Sequence, residues 1–156
     1  MDMPPYLHRL FAYDAWANRE VIESLKKTGA APPRALRLLA HIVIGEQLWM
    51  SRLKQEKKTV AVWPELTLSQ CEAQVAELRT LWQDYLNGLA PSQVSDPIPY
   101  TNTEGESWVN TIEDILMHVA MHSAYHRAQI AAELRASGHK PANTDLIHCI
   151  RRGFVK

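Results

Sequence analysis

The sequence predicts an all-α protein, an up-and-down four-helix bundle with a long loop or short hairpin between the third and fourth helices. Four segments of about 20 residues or more repeat apolar residues every three or four positions, which is typical of helices with one buried face. Glycine and proline lie between these segments. A chain of 156 residues is expected to form one domain, residues 1–156, with a sizeable core.

The first helix is predicted from about Pro5 to Lys27, where apolar residues follow the three-four spacing. Asp14 and Asn18 fall on its inner face. Either could orient a ligand imidazole, although a partly exposed polar position is the simpler interpretation. Gly29 and the Pro32-Pro33 pair end this helix and begin the next.

The second helix is predicted from about Pro33 to Lys57, and its apolar face contains His41. Gly45 follows one turn later on that face, and its missing side chain is expected to leave open volume beside an ion. Glu46 points elsewhere around the helix than His41. It could orient a ligand imidazole, although a partly exposed polar position is the simpler interpretation. Residues 59–67 are predicted to form a connection.

The third helix is predicted to start at Ser69, because Ser69 and Glu72 match a capping box. Cys71 begins its apolar seam and is interpreted as a packing residue. The seam continues in steps of four and three with Val75, Leu78, Trp82, Tyr85 and Leu89.

The connection from Ala90 to Asn110 is unusually long for a compact domain, and such connections are often functional. Its prolines, from Pro91 to Pro99, exclude a helix. Ile98–Thr101 and Ser107–Val109 could instead pair as a short hairpin. We expect this connection to cover a pocket.

The fourth helix is predicted from about Thr111 to Ser137, with Gly138 as its stop. Histidines replace aliphatic residues at two seam positions. The seam reads Ile112, Ile115, Val119, His122 and His126, then Gln129 or Ile130 and Glu133 or Leu134. The tail adds one short turn around Asp145–Arg151.

His122 and His126 lie one helical turn apart on one face, where two imidazoles can bind one transition-metal ion. Polar side chains are costly on such a face unless something satisfies them. His118 lies about 12 Å along the axis from His126, so one ion cannot bind both. The pair His118 and His122 is possible, but only His122 and His126 lie fully on the seam. We therefore place His118 at the rim.

His41 is the best candidate for a third ligand, because it lies midway on the apolar face of another helix. Three neutral imidazoles would leave a coordination position open for water or a thiolate, as in catalytic rather than closed structural sites. The competing interpretation is a plain helical bundle with hydrogen-bonded core histidines. Arg127, beside His126, is interpreted as pairing with a carboxylate rather than attracting an anionic substrate.

Composition argues against several functions. The 17 basic and 17 acidic residues give no net charge, so we expect no nucleic-acid partner. Two cysteines are too few for a disulfide scaffold, and no apolar run has signal-peptide or membrane-span length. A soluble cytoplasmic protein without a membrane partner is expected. The motifs of zinc proteases, di-iron bundles, phosphate-binding loops and nucleophile elbows do not occur.

Several segments resemble the DinB family of metal-binding four-helix bundles, and together they cover nearly all of the chain. The most specific runs from His122 to Ile130 and ends at Leu134–Gly138. The others are Tyr13–Asn18, Leu39–Ile42 with Glu46 and Trp49, Asn102–Glu106 and Thr144–Ile147. Ala128 stands where the family motif commonly has glycine, a difference that barely affects the candidate ligands.

The resemblance implies a divalent ion, zinc or nickel most often, bound by His41, His122 and His126, and a homodimer. Related bundles include transferases that use low-molecular-weight thiols and a maleylpyruvate isomerase. We therefore expect a metal-dependent enzyme acting on a small molecule: a thiol-dependent S-transferase, or a hydrolase or isomerase. The alternative is a metal- or ligand-binding, stress-related module without turnover. The sequence assigns no catalytic residue and no organic cofactor.

Overall fold

The computed structural model describes residues 4–156 and is mostly helical. Its elements are α1 (Pro5–Lys26), α2 (Pro33–Leu53), α3 (Leu68–Gly88), a short 3-10 helix (Pro91–Ser95), β1 (Pro97–Thr101), β2 (Ser107–Thr111), α4 (Ile112–Ala136) and α5 (Leu146–Arg151). The helical class is confirmed. Within residues 4–156, a two-stranded sheet and a short fifth helix accompany the four long helices.

The long helices pack around a shared apolar core. α2 packs most extensively against α4, and α1 against α3, with further contacts between α2 and α3 and between α1 and α4. The aliphatic seam positions of α4 are all buried: Ile112, Ile115, Val119, Ile130 and Leu134. The seam histidines of α4 therefore face into the interior of the molecule, toward α2.

The start of α3 differs from the prediction. The capping residue is Thr67, whose hydroxyl accepts the backbone N–H of Gln70 at 3.1 Å, while the Gln70 side chain accepts the Thr67 N–H at 2.8 Å. The prediction that Ser69 and Glu72 form the capping box was wrong. Threonine and glutamine satisfy the same reciprocal pattern two residues earlier, and that position adds Leu68 to the helix.

The end of α2 also comes earlier than predicted, at Leu53 rather than near Lys57. Gln55 adopts a left-handed backbone with φ of 55°, which terminates the helix. Its side-chain amide donates to the carbonyl of Pro99 at 3.0 Å and so ties α2 to β1. Residues 54–59 are exposed, so they offer no buried face that would extend the helix.

The connection between α3 and α4 contains the predicted hairpin. β1 and β2 are antiparallel, with Tyr100 opposite Trp108, and Gly105 has a φ of 83° in the turn between them. The exclusion of helix was wrong at Pro91, which begins a 3-10 helix. Proline is tolerated at a first helical position, because the N–H it lacks would have no partner there.

The tail folds back onto α1. α5 buries Cys149 against Tyr13, Trp16 and Ala17, and Val155 completes this small cluster. The Tyr13 hydroxyl donates to the Thr144 carbonyl at 2.5 Å. Across residues 4–156, no helix is both long enough and apolar enough to cross a membrane.

Candidate metal centre

The helices bring His41 of α2 together with His122 and His126 of α4. Each imidazole offers a nitrogen, and these nitrogens all lie within 4.8 Å of one another. No carboxylate or thiol joins the group within residues 4–156. The helical spacing of the α4 pair and the extensive packing of α2 on α4 produce this convergence.

The α4 pair has the geometry of two ligands to one ion. The Nε2 atoms of His122 and His126 lie 3.2 Å apart. Two nitrogens bonded at about 2.0–2.1 Å to one tetrahedral ion would be separated by about 3.3 Å. The spacing therefore fits a shared metal. It also permits an N–H···N hydrogen bond between the two rings, which is the competing interpretation.

Gln129 sets the orientation of the buried His126. The Nδ1–H of His126 donates to the side-chain carbonyl oxygen of Gln129 at 2.7 Å. The proton then occupies Nδ1, so the neutral ring presents the lone pair of Nε2 toward His122. The sequence had placed Gln129 on the seam without assigning it a role. A hydrogen-bond acceptor three residues after a candidate ligand was the available signal.

The connection between α2 and α3 orients His41. The Nδ1–H of His41 donates to the Val62 carbonyl, and the Trp63 ring stacks on the imidazole at a centroid distance of 3.9 Å and 7° between planes. With its proton on Nδ1, His41 therefore also has an unprotonated Nε2 that takes no part in the bond to Val62. Residues 59–67 were predicted only as a connection, without a role at the histidines. Trp63, rather than the hairpin, covers this ring.

Gly45 gives His122 the space it occupies. A Cβ atom at position 45 would lie 3.2 Å from Cε1 and 3.5 Å from Nδ1 of His122. The prediction of open volume beside an ion was therefore wrong in detail. The ring of a candidate ligand fills the space that the missing side chain leaves.

The environment favours neutral imidazoles. Burial, together with the neighbouring His126, His41 and His118, lowers the pKa of His122 to about 4. Burial also lowers the pKa of His41, against the opposing effect of its bond to Val62. Neutral imidazoles are the form that binds a metal, so these two residues need lose no proton at neutral pH.

His118 lies outside the three-histidine group and is exposed. Its ring centroid is 5.5 Å from that of His122 and 5.0 Å from that of Trp49. Burial of part of the ring and the charge of Arg52 lower the pKa of His118. The His118 ring therefore lies next to both His122 of the candidate centre and Trp49 of α2.

A buried polar network lies beside the candidate metal centre, on the turns of α2 and α4 that contain Gly45 and His126. Arg127 donates from Nη1 to Asp14 Oδ1 at 2.7 Å and to the side-chain oxygen Oδ1 of Asn18 at 2.8 Å. The Nδ2 of Asn18 donates to Glu46 at 3.0 Å. All four side chains are buried. The interpretation of Asp14, Asn18 and Glu46 as partly exposed was wrong, whereas the pairing of Arg127 with a carboxylate is confirmed.

Glu46 and Arg127 in this network have raised pKa values. Burial raises the pKa of Glu46 well above its usual range, and the neighbouring Asp14 raises it further. Burial alone would lower the pKa of Arg127, but Asp14 raises it overall. These shifts favour the neutral form of Glu46 and the charged form of Arg127, which pairs with Asp14. Glu46 follows Gly45 and Arg127 follows His126, so this network fixes the helical turns that carry the histidines.

Comparison with known proteins is consistent with this arrangement. The model of the family described as DinB family matches residues 6–152. A curated relative, "Protein DinB" of Bacillus subtilis (strain 168), is 25% identical over 159 aligned positions, which cover 92% of each chain. The match includes the candidate ligands and the buried network, since all of these residues lie between positions 6 and 152.

Proposed function

This chain belongs to the DinB family, and on that premise we propose that it is a metal-dependent enzyme whose divalent ion is bound by His41, His122 and His126. We propose the up-and-down four-helix bundle of this family for its long helices, within one domain spanning residues 1–156. The observation that carries the proposal is the 3.2 Å separation of two Nε2 atoms beside a third imidazole.

The surrounding residues prepare the three imidazoles for this role. Gln129 and the Val62 carbonyl hold protons at Nδ1 of His126 and His41, which leaves Nε2 of each ring free to bind. Trp63 shields one face of His41 from water. When bound, a divalent ion supplies Lewis acidity and an open coordination position for water or a thiol.

Zinc or nickel is the proposed metal. Imidazole nitrogen suits zinc, nickel, copper and iron, whereas magnesium and calcium prefer oxygen ligands. The donor set is entirely nitrogen, and the DinB resemblance favours zinc or nickel within that group.

The proposed reaction is transfer of a low-molecular-weight thiol to a small electrophile. The thiol loses its proton to solvent, its sulfur forms a bond to the electrophilic carbon, and the leaving group departs with its electron pair. Support comes from the three neutral donors without a carboxylate, which leave a position for a thiolate. Hydrolase or isomerase chemistry would use the same position for water or for a carbonyl oxygen.

A metal- or ligand-binding module without turnover, acting in stress, is the second candidate. The observation that favours it is the absence of a general base at the centre, because no carboxylate joins the three imidazoles within residues 4–156. We further propose a cytoplasmic homodimer with a small-molecule partner and without nucleic-acid or membrane partners, consistent with the balanced charge. Light scattering of the purified protein tests the dimer.

Cobalt substitution tests thiol binding at the proposed centre. We expect a small thiol to produce a sulfur-to-cobalt charge-transfer band in the cobalt-loaded protein, and the matching alcohol to produce none. The His122→Ala variant should lose the band. A cobalt spectrum that added thiols leave unchanged would contradict the transferase proposal, while metal binding without thiol exchange would favour the module.

A further inference from the structure

Arg52, near the end of α2, is a half-buried cation that packs against two adjacent aromatic rings. Its Cζ lies 4.4 Å from the ring centroid of Trp49 and 5.1 Å from that of Tyr100. Within residues 4–156, no carboxylate lies within 4.0 Å of its guanidinium. Aromatic faces hold a guanidinium in place but leave its N–H groups able to bind an anion.

A pocket of about 660 Å³ borders this guanidinium. Lys57 and Lys58 contribute two more cations to its lining, and Glu56 is the one carboxylate among the described lining residues. Hydrogen bonds hold both walls of the pocket in place. The Tyr100 hydroxyl donates to Asn110 at 2.8 Å, and Gln55 donates to the Pro99 carbonyl at 3.0 Å. The pocket is therefore a preformed recess with an excess of positive charge.

The pocket lies along the same face of α2 as the candidate metal centre. His41, Gly45, Trp49 and Arg52 follow the three-four helical spacing. Arg52 comes seven residues after Gly45, which contacts His122, so it lies about 10 Å further along the axis. An extended chain of about three peptide units covers that distance.

We propose that Arg52 binds a carboxylate of the substrate whose reacting atom lies at the three histidines. The inference rests on the proposed function and adds a substrate class to it: a small molecule whose anionic group and reacting atom are separated by about the axial rise between Gly45 and Arg52, roughly 10 Å. Arg52 supplies two parallel N–H donors, as planar recognition of a carboxylate requires. Lys57 and Lys58 add attraction from the rim.

Matched peptides test this subsite. Acetyl-Cys-Gly-Gly with a free carboxylate, and the same peptide as its carboxamide, are titrated into cobalt-loaded protein and followed by the charge-transfer band. The wild type should bind the carboxylate about tenfold more tightly, as a charge-assisted hydrogen bond allows. Arg52→Gln should abolish this preference and leave the affinity for the carboxamide unchanged. Arg37→Gln, at an exposed arginine of the same helix, should keep it. Equal binding of both peptides by the wild type, or a preference retained in Arg52→Gln, would overturn the proposal.

A second readout separates the subsite from the thiol chemistry. Acetyl-triglycine and its carboxamide contain no thiol and are titrated into metal-free, ¹⁵N-labelled protein, with the Arg52 Nε–H resonance as the probe. A saturating shift with the carboxylate alone supports the subsite, even if cobalt-loaded protein does not respond to thiols. Identical responses to both compounds would refute the subsite independently of the fate of the proposed function.

Discussion

Gln129 accepts a hydrogen bond from Nδ1 of His126 at 2.7 Å, and this contact fixes which ring nitrogen faces His122. A glutamine amide thereby sets the tautomer of a candidate ligand, in the role that carboxylates and backbone carbonyls often have beside metal-binding histidines. The Val62 carbonyl does the same for His41. The readiness of the centre for a metal therefore depends on residues outside the imidazole group.

Replacing Gln129 tests that dependence. Gln129→Leu should weaken zinc affinity by about 10- to 100-fold, because His126 loses its orienting acceptor. Competition with a chromophoric chelator measures the affinity. Gln74→Leu is the matched control, since Gln74 pairs with Gln47 and not with a histidine. Equal affinities for all three proteins would show that Gln129 does not orient a ligand.

Gly45→Ala should displace the ring of His122. The added Cβ would lie 3.2 Å from Cε1 of that ring, so the imidazole must move by a few tenths of an ångström. We expect metal affinity to fall about tenfold, within the range seen when ligand support is lost. The control is Gly88→Ala, where nothing lies within 4 Å of the new atom. That variant should keep its affinity, and a Gly45→Ala protein with wild-type affinity would contradict the placement of His122.

The Arg127→Met variant should have a lower free energy of unfolding than the wild type. It leaves Asp14 buried without its cation, and breaking such a pair by removing one partner costs about 3–5 kcal/mol. Urea denaturation measures the free energy of unfolding. Arg135→Met, at an exposed position of the same helix, should change it by less than about 0.5 kcal/mol. Similar losses in both variants would mean that the network contributes little.

Glu46 should make stability depend on pH. Its folded pKa is raised, so between the unfolded value of 4.5 and the folded value the native state holds a proton that the unfolded state has lost. The contribution of Glu46 to the free energy of unfolding should therefore fall as pH rises from about 4.5 into that interval, whereas the lowered pKa values of His41 and His122 contribute a rise. Glu46→Gln should lose the falling contribution and keep that of the histidines. Unfolding curves at pH 5 and pH 7 measure both slopes, and identical slopes would show that Glu46 titrates normally.

The sequence identified the helices and the convergent histidines because periodicity reports which side chains share a buried face. His122 and His126 lay on one stripe, and His41 on the stripe of another helix. The DinB resemblance indicated the same three residues. The start of α3 was predicted at Ser69, whereas the helix is capped by Thr67.

The network around Arg127 was only partly predictable. Arg127 was expected to pair with a carboxylate, but Glu46 was interpreted as a partly exposed polar residue. Its partners come from α1, at Asp14 and Asn18, and such packing between distant segments has no local pattern in the sequence. The same holds for Trp63 over His41, because the path of a connection depends on tertiary contacts rather than on periodicity.

Metal content tests the central claim most directly. Untagged protein, reconstituted with zinc or nickel and desalted, is analysed by inductively coupled plasma mass spectrometry beside the triple variant His41→Ala, His122→Ala, His126→Ala. We expect one ion per chain in the wild type, none in the triple variant, and an unchanged ion in His118→Ala. Metal retained by the triple variant, or none bound by the wild type, would contradict the central claim and favour a hydrogen-bonded pair of core histidines.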